Sequence, residues 1–302
     1  MSLDLSQFKQ TRIYEQQTAI PEILEDLGRV RAIDREHEKI ERQWGYIALM
    51  AIFVAVIGVV VAIITQQLGF VGITAAGIIG AIVCFIVKGR YGRFNFEDRR
   101  YELLEQALDM LGRDMAQGAT CNVQLDLGPA NENSKFTGKG QVRDWKVKYY
   151  TDPWLSLRGR LLDGTAFQLV LIDKLQQRSK WKRSRSGKQK HKSKKKLAHA
   201  AVLQLRIKPS RYPNLQAISA DAAGAIQLPD GVEIKSLNCA DARIKLKAKW
   251  PAERTMGPTP GSERRKLLLD EAQLVAMMFI SLFQVLNLAK AIGKAQRSGG
   301  DQ

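Results

Sequence analysis

Between Arg178 and Lys196 the chain reads RSKWKRSRSGKQKHKSKKK, with 11 basic residues in 19 and no acid. Ammonium and guanidinium groups at this density suit one kind of chemistry. They hold phosphates or carboxylates and displace counterions, an attraction that falls steeply as salt rises. The candidate polyanion-binding residues in this run are Arg178, Lys180, Lys182, Arg183, Arg185, Lys188, Lys190, Lys192, Lys194, Lys195 and Lys196. A second set comes from alternation. Ala242, Ile244, Leu246, Ala248 and Trp250 alternate with Arg243, Lys245, Lys247 and Lys249, so a strand here sends four cations to one face. Lys146 and Lys148, Arg158 and Arg160, and Arg206 and Lys208 repeat the rule. Like charges placed opposite one another destabilise a sheet, so such a surface calls for an anionic partner. RNA or the ribosome, DNA, an acidic protein and anionic lipid all fit; Trp181 is the run's single aromatic, too few for a platform that stacks a single strand.

Other chemistries find no constellation. The chain lacks GxxxxGK, HExxH and GxSxG, and no GxGxxG follows a strand pattern. Asp126, Asp144, Asp152, Asp163, Asp173, Asp221, Asp230 and Asp241 are scattered, His37 stands alone, and His191 and His199 are too few for a metal tract. Cys84, Cys121 and Cys239 suggest neither a disulfide framework nor a CxxC pair. The expectation is a protein without catalytic residues, cofactor or metal.

The elements that must carry the basic groups divide sharply by charge. The net charge is +17, and residues 119–261 hold 28 basic and 11 acidic side chains, so the whole excess lies there. Ahead of them, Gly45 to Thr65 and Leu68 to Val87 are free of charged side chains, and each has close to the ~20 residues that span hydrocarbon. The short link at Gln66-Gln67 makes these a two-helix transmembrane hairpin. Arg35, Lys39 and Arg42 precede it and Lys88, Arg90 and Arg93 follow it, which places both termini in the cytoplasm by the positive-inside rule. The expected location is the plasma membrane or another energy-transducing membrane. Two stripes of small residues, Ala48, Ala51, Ala55, Gly58 and Ala62, then Gly72, Ala76, Gly80 and Cys84, are candidates for close helix packing. The expected assembly is a homo-oligomer or a subunit of a membrane complex.

The fold class expected is an α+β membrane protein. Residues 1–43 form an N-terminal cytosolic segment and stalk helix, 44–88 the hairpin, and 89–118 a second stalk helix with an apolar seam from Tyr101 to Met115. Residues 119–250 form a basic antiparallel β domain, a sandwich or partly open barrel, with a disordered basic loop at 178–196. A linker at 251–261 leads to a C-terminal amphipathic helix and tail at 262–302. Its apolar stretch, Ala272 to Ala289, is marginal as a span, so burial against another element is expected first, an interfacial position second and a crossing third.

Overall fold

The structure is a computed structural model, and it describes residues 5–66, 69–92, 96–183, 186–212, 215–216, 221–240, 242–252 and 269–298. The chain divides into two compact units. One is Glu25–Asp98; the other joins Met1–Leu24, which holds the short helix α1 (Leu5–Thr11), to Arg99–Gln302.

The first unit contains most of helix α2 (Ile20–Thr65) and helix α3 (Gly69–Tyr91), packed together. Ala48, Ala55 and Gly58 of α2 are buried, Ala51 and Ala62 are half-buried, and Ala81 and Cys84 are buried on α3. The contact is close at two glycines. A side chain on Gly58 would come 2.7 Å from Thr74 Oγ1, and one on Gly77 would come 2.9 Å from Ala55 Cβ. On α3 the contact therefore follows Thr74, Gly77, Ala81 and Cys84, while Gly72 and Ala76 are exposed and Gly80 only approaches Ala51. A strict spacing of four drifts off a 3.6-residue helix by about 40° per step, so the expected stripe is exposed at Gly72 and Ala76 and reaches the contact only at its far end, Cys84. The outer faces are apolar, with Phe53, Ile63, Ile64, Ile79 and Ile86 exposed. Three helices, α2, α3 and α5 (Glu271–Ser298), are long and apolar enough to cross a membrane, which suggests membrane association.

The second unit is an open antiparallel sheet with helices on one face. Its strands are β1 (Ile13–Ala19), β2 (Thr120–Asp126), β3 (Phe136–Val142), β4 (Trp145–Arg160), β5 (Ala166–Arg183), β6 (Gln189–Arg206), β7 (Glu233–Ala240) and β8 (Arg243–Pro251). Their order is β1-β2-β4-β5-β6-β8-β7. Strand β3 shares the β2 edge of β4, pairing with residues 145–150 while β2 pairs with 155–158. One apolar row, Val123–Leu157–Leu169–Leu203–Leu246–Leu237, crosses six strands in register. The opposite face bears polar side chains, so one layer of helices closes the core and no second sheet is needed. This replaces the sandwich or barrel expected from alternation alone.

Helix α4 (Asp98–Gly112) supplies part of that layer, with Leu104, Leu108 and Leu111 buried. Helix α5 supplies the rest: Leu274, Met278, Leu282 and Val285 are buried, and Phe279 meets Phe167 edge-on at 5.6 Å. Full burial contributes roughly 1.5–3 kcal/mol for each such side chain. The seam expected of a second stalk helix over 89–118 is thus spent on the sheet: α3 ends at Tyr91, α4 starts at Asp98, and from Arg99 onward the chain belongs to the other unit. The N-terminal segment likewise includes an edge strand, β1, paired along its length with β2. Most of the expected linker and the start of the expected C-terminal helix lie outside the described residues; the observed α5 begins at Glu271.

Residues 178–196 are the largest departure. Apart from Ser184 and Arg185, which lie outside the described residues, they are not a disordered loop. Arg178–Arg183 completes β5, Gln189–Lys196 opens β6, and the two pair in register out to Arg183 opposite Gln189. A lysine run cannot fold alone. Here its register is inherited from the apolar halves of the same strands, Phe167 to Leu175 and Leu197 to Leu205, and β4 pairs alongside as far as Ser179.

Candidate functional site

Strands β3 to β6 extend beyond the helix-covered core as an arm. Across one of its faces Arg178 stands opposite Lys194, Lys180 opposite Lys192, and Lys182 opposite Lys190: three directly facing pairs of cations. Trp145 of β4 shares this face and lies beneath it, with Lys180 Nζ 4.7 Å and Lys194 Nζ 5.9 Å from the ring centre. The indole face attracts cations, which offsets part of their mutual repulsion. Asp144, 4.0 Å from Lys180, is the one acid at this end of the arm, and its side chain is 88% exposed. The tight turn at Arg143-Asp144 sets β3 against β4, with Arg143 at a left-handed φ of 53°. The other face of the arm carries Lys139, Lys146, Lys148 and Lys195. There, Lys139, Lys146 and Lys148 border a hollow of ≈ 480 Å³ floored by Ser179 and Ser193. Towards the tip Trp181 packs on His191 at 5.0 Å.

The second predicted set lies on the open face of the main sheet. Arg243 and Lys247 are exposed, and Lys245 and Lys249 are half-buried, while Ile244, Leu246, Ala248 and Trp250 point into the core. Register draws further cations beside them, since Arg243 pairs with Arg206, and Ala166 of β5 lies between Arg206 and Arg160. The structure therefore brings Arg178, Lys180, Lys182, Lys190, Lys192 and Lys194 onto one face of the arm and Lys195 onto the other. It puts Arg183 and Lys188 near the tip and keeps Arg243, Lys245, Lys247 and Lys249 on a separate strand. Lys196 lies opposite Gln176 at the base of the arm. Lys139 and Trp145 escaped the sequence reading because the turn at Arg143-Asp144 carries no glycine or proline to mark it.

At the root of the arm, one row of paired positions runs Asp152–Asp173–His199–Trp250 across β4, β5, β6 and β8. It is buried and charged. Arg100 of α4 donates to Asp152 at 2.8 Å and to the carbonyls of Asp126 and Gly128 at 2.7 and 3.1 Å. Lys135 Nζ bridges Asp126 and Asp152, both at 2.9 Å. Arg99 joins Asp173 and Glu271, each at 2.9 Å, and His199 Nδ1 lies 2.6 Å from Asp173 Oδ1. Trp154 Nε1 donates to Asp173 at 3.2 Å and Trp250 Nε1 to Glu271 at 3.1 Å. The Trp154 ring lies 5.6 and 5.5 Å from the two guanidinium carbons.

Burial pushes the Asp173 carboxyl up, but the His199 hydrogen bond with Arg99 and Arg100 outweighs it and holds the group below the usual carboxylate range. For Asp152 burial prevails over Arg100 and Lys135, and for Glu271 it prevails over Arg99 and His199, so both are raised. A cleft of ≈ 240 Å³ lined by Glu102, Gln106 and Asp270 reaches Arg99 and Glu271. The row carries no nucleophile, and Cys121, further along the sheet, is sealed in the core, its thiol pushed up to about 11 by burial. Among the described residues no three His, Cys, Asp or Glu side chains form a metal site. The arrangement is a clamp that ties α4 and the first turn of α5 to four strands. One signal for it was present in the sequence: Asp173 shares the phase of Leu169, Leu171 and Leu175, where a charge is out of place.

The chain matches no known family, no curated protein and no solved structure.

Proposed function

We propose that this protein is a non-enzymatic, membrane-anchored scaffold that recruits a polyanion to the cytosolic face of its membrane through the arm and the basic face of the sheet. The observation that carries the reading is the set of three facing cation pairs, Arg178–Lys194, Lys180–Lys192 and Lys182–Lys190, on an arm with one acid near its end. Like charges held opposite each other cost stability, and an anionic partner recovers it. The uncharged stretches of α2 (residues 45–65) and α3 (residues 69–87) supply the anchor, and the basic residues that flank them, Arg35, Lys39 and Arg42, with Lys88 and Arg90, support cytoplasmic termini.

The test uses full-length protein in nanodiscs of uncharged lipid, with polyphosphate as the probe over a salt series. Affinity is expected to fall linearly on a log–log plot, by close to one power of salt for each phosphate neutralised. Absence of binding, or binding insensitive to salt, would overturn the reading. A second reading, a subunit of a larger membrane complex, is favoured by an apolar cleft of ≈ 340 Å³ between α4 and α5, where Met110, Phe279 and Phe283 line the walls and Ile280 is 57% exposed. Purification in mild detergent decides it: a lone monomer counts against it.

A further inference from the structure

The arm is charged on both faces, and this narrows the class of polyanion. One face carries Arg178, Lys180, Lys182, Lys190, Lys192 and Lys194; the other carries Lys139, Lys146, Lys148 and Lys195. A bilayer surface is flat, so it engages one face of a sheet and leaves the other in water. A channel walled by phosphates on both sides engages the two together. The shape of the tip points the same way. Pairing with β4 stops at Lys146 opposite Ser179, and from there β5 and β6 continue alone to Arg183 opposite Gln189. That is a two-stranded ribbon with strands about 4.8 Å apart, projecting roughly 13 Å at about 3.3 Å per residue. The major groove of B-form DNA is about 12 Å wide and about 8.5 Å deep, and it admits such a ribbon; the major groove of A-form RNA is too narrow.

We infer that the tip of the arm enters the major groove of duplex DNA, with the lysines behind it set against the phosphate backbones on either side. This rests on the polyanion reading and specifies its partner. Phosphate contacts from both faces supply most of the affinity, so binding is largely independent of sequence. At the tip, Arg183 and Gln189 are side chains that hydrogen-bond guanine and adenine edges respectively, and they add a modest preference. Asp144 is too exposed to occupy the lysine face in place of DNA.

The experiment uses the full-length protein in uncharged nanodiscs and four probes: a DNA duplex of about two turns, the same sequence as duplex RNA, one of its DNA strands alone, and vesicles containing phosphatidylserine. Duplex DNA is expected to bind at least about tenfold more tightly than duplex RNA or the single strand, and to show guanine N7 protection from methylation in the major groove. Two variants separate the faces: K180Q/K192Q/K194Q and K139Q/K146Q/K148Q. Each is expected to lower duplex affinity about tenfold and to reduce the salt slope by about 2 to 3. The matching Lys→Arg triples keep the charge and are expected to retain binding, which separates lost contacts from lost folding. Equal or tighter binding of duplex RNA, or loss from one face alone, would overturn the duplex inference. Binding confined to vesicles also overturns it and leaves the polyanion reading standing; binding of no probe brings down both.

Discussion

Strands β4, β5 and β6 handle charge in two opposite ways on either side of a single row. At the row itself, Asp152, Asp173 and His199 are buried, yet each meets an oppositely charged or hydrogen-bonding partner at between 2.6 and 2.9 Å. A few residues further along β5 and β6, cations face cations in water. Burying an ion costs several kcal/mol unless close partners repay it, so the row can exist only as a completed set. Exposed lysines are screened by solvent and counterions, so the arm survives incomplete. The comparison separates holding from binding. The row has its anions and cations matched already and serves to fix α4 and α5 on the sheet; the arm has its counter-charge still to find.

The sharpest way to break that comparison is to remove a cation from each region. Arg100→Met takes a guanidinium that is 2% exposed away from Asp152 and strands a buried carboxylate. The expected loss is about 3–5 kcal/mol of stability. Trp154 lies 5.5 Å from that guanidinium, so its fluorescence during thermal unfolding of the full-length protein reads the change. Polyanion affinity of the folded variant is expected to stay as it was. A loss under about 1 kcal/mol would mean that the row does not hold the helices.

A smaller effect is expected at Asp173, and it depends on pH. The carboxyl is held below its usual 3.8 in the folded protein. A lowered carboxyl contributes stability that is fully present above the ordinary value and is lost as pH falls through the folded one. Asp173→Asn keeps an acceptor for Trp154 Nε1, so its cost at neutral pH is about 2 kcal/mol, less than that of Arg100→Met. The gap between wild type and variant is then expected to hold steady at neutral pH and to close below pH 3.8. Glu271 runs the other way. Its carboxyl is raised above 4.5, so its contribution is complete below that value and declines as pH rises through the folded one. Glu271→Gln is expected to flatten that decline in unfolding measured across pH, and a gap for Asp173→Asn that widens in acid would contradict the assigned charges.

The two regions differ as much in how far sequence reveals them. The second half of α2 and most of α3 announce themselves by length without charge, and the 3, 4, 3, 4 spacing of Ala48, Ala51, Ala55, Gly58 and Ala62 keeps to one face of α2. The alternation along β8 assigns Ile244 and Lys245 to opposite faces with no tertiary information. The row was hidden for two reasons. Asp152 and Asp173 meet only through strand register, and an irregularity between Asp152 and Leu155 shifts the phase that would have marked Asp152 as inward. Arg100 stands one turn ahead of Leu104 on the buried side of α4, where composition reads it as surface. The arm reads as disordered from composition because strand formation at Lys190 or Lys192 depends on Leu197 to Leu205 further along the same strand, a dependence that local composition does not contain.

The smallest effect bears most directly on the difference between the regions. Lys180 and Lys192 are opposed in the arm, as are Arg178 and Lys194. Replacing Lys192 and Lys194 with Gln leaves one charge in each pair and removes the facing repulsion, which is worth a few tenths of a kcal/mol per pair. The arm is therefore expected to become slightly more stable as it loses affinity for polyanions, the reverse of what any substitution in the row does. Backbone hydrogen exchange of residues 178–183 and 189–194 reads this locally. In the wild type, protection should grow with added salt, because screening relieves the same repulsion. In K192Q/K194Q it should start higher and respond less. Faster exchange in the variant would show that the lysine stems, through their contacts with Trp145, hold the arm together and that its charge is structural after all.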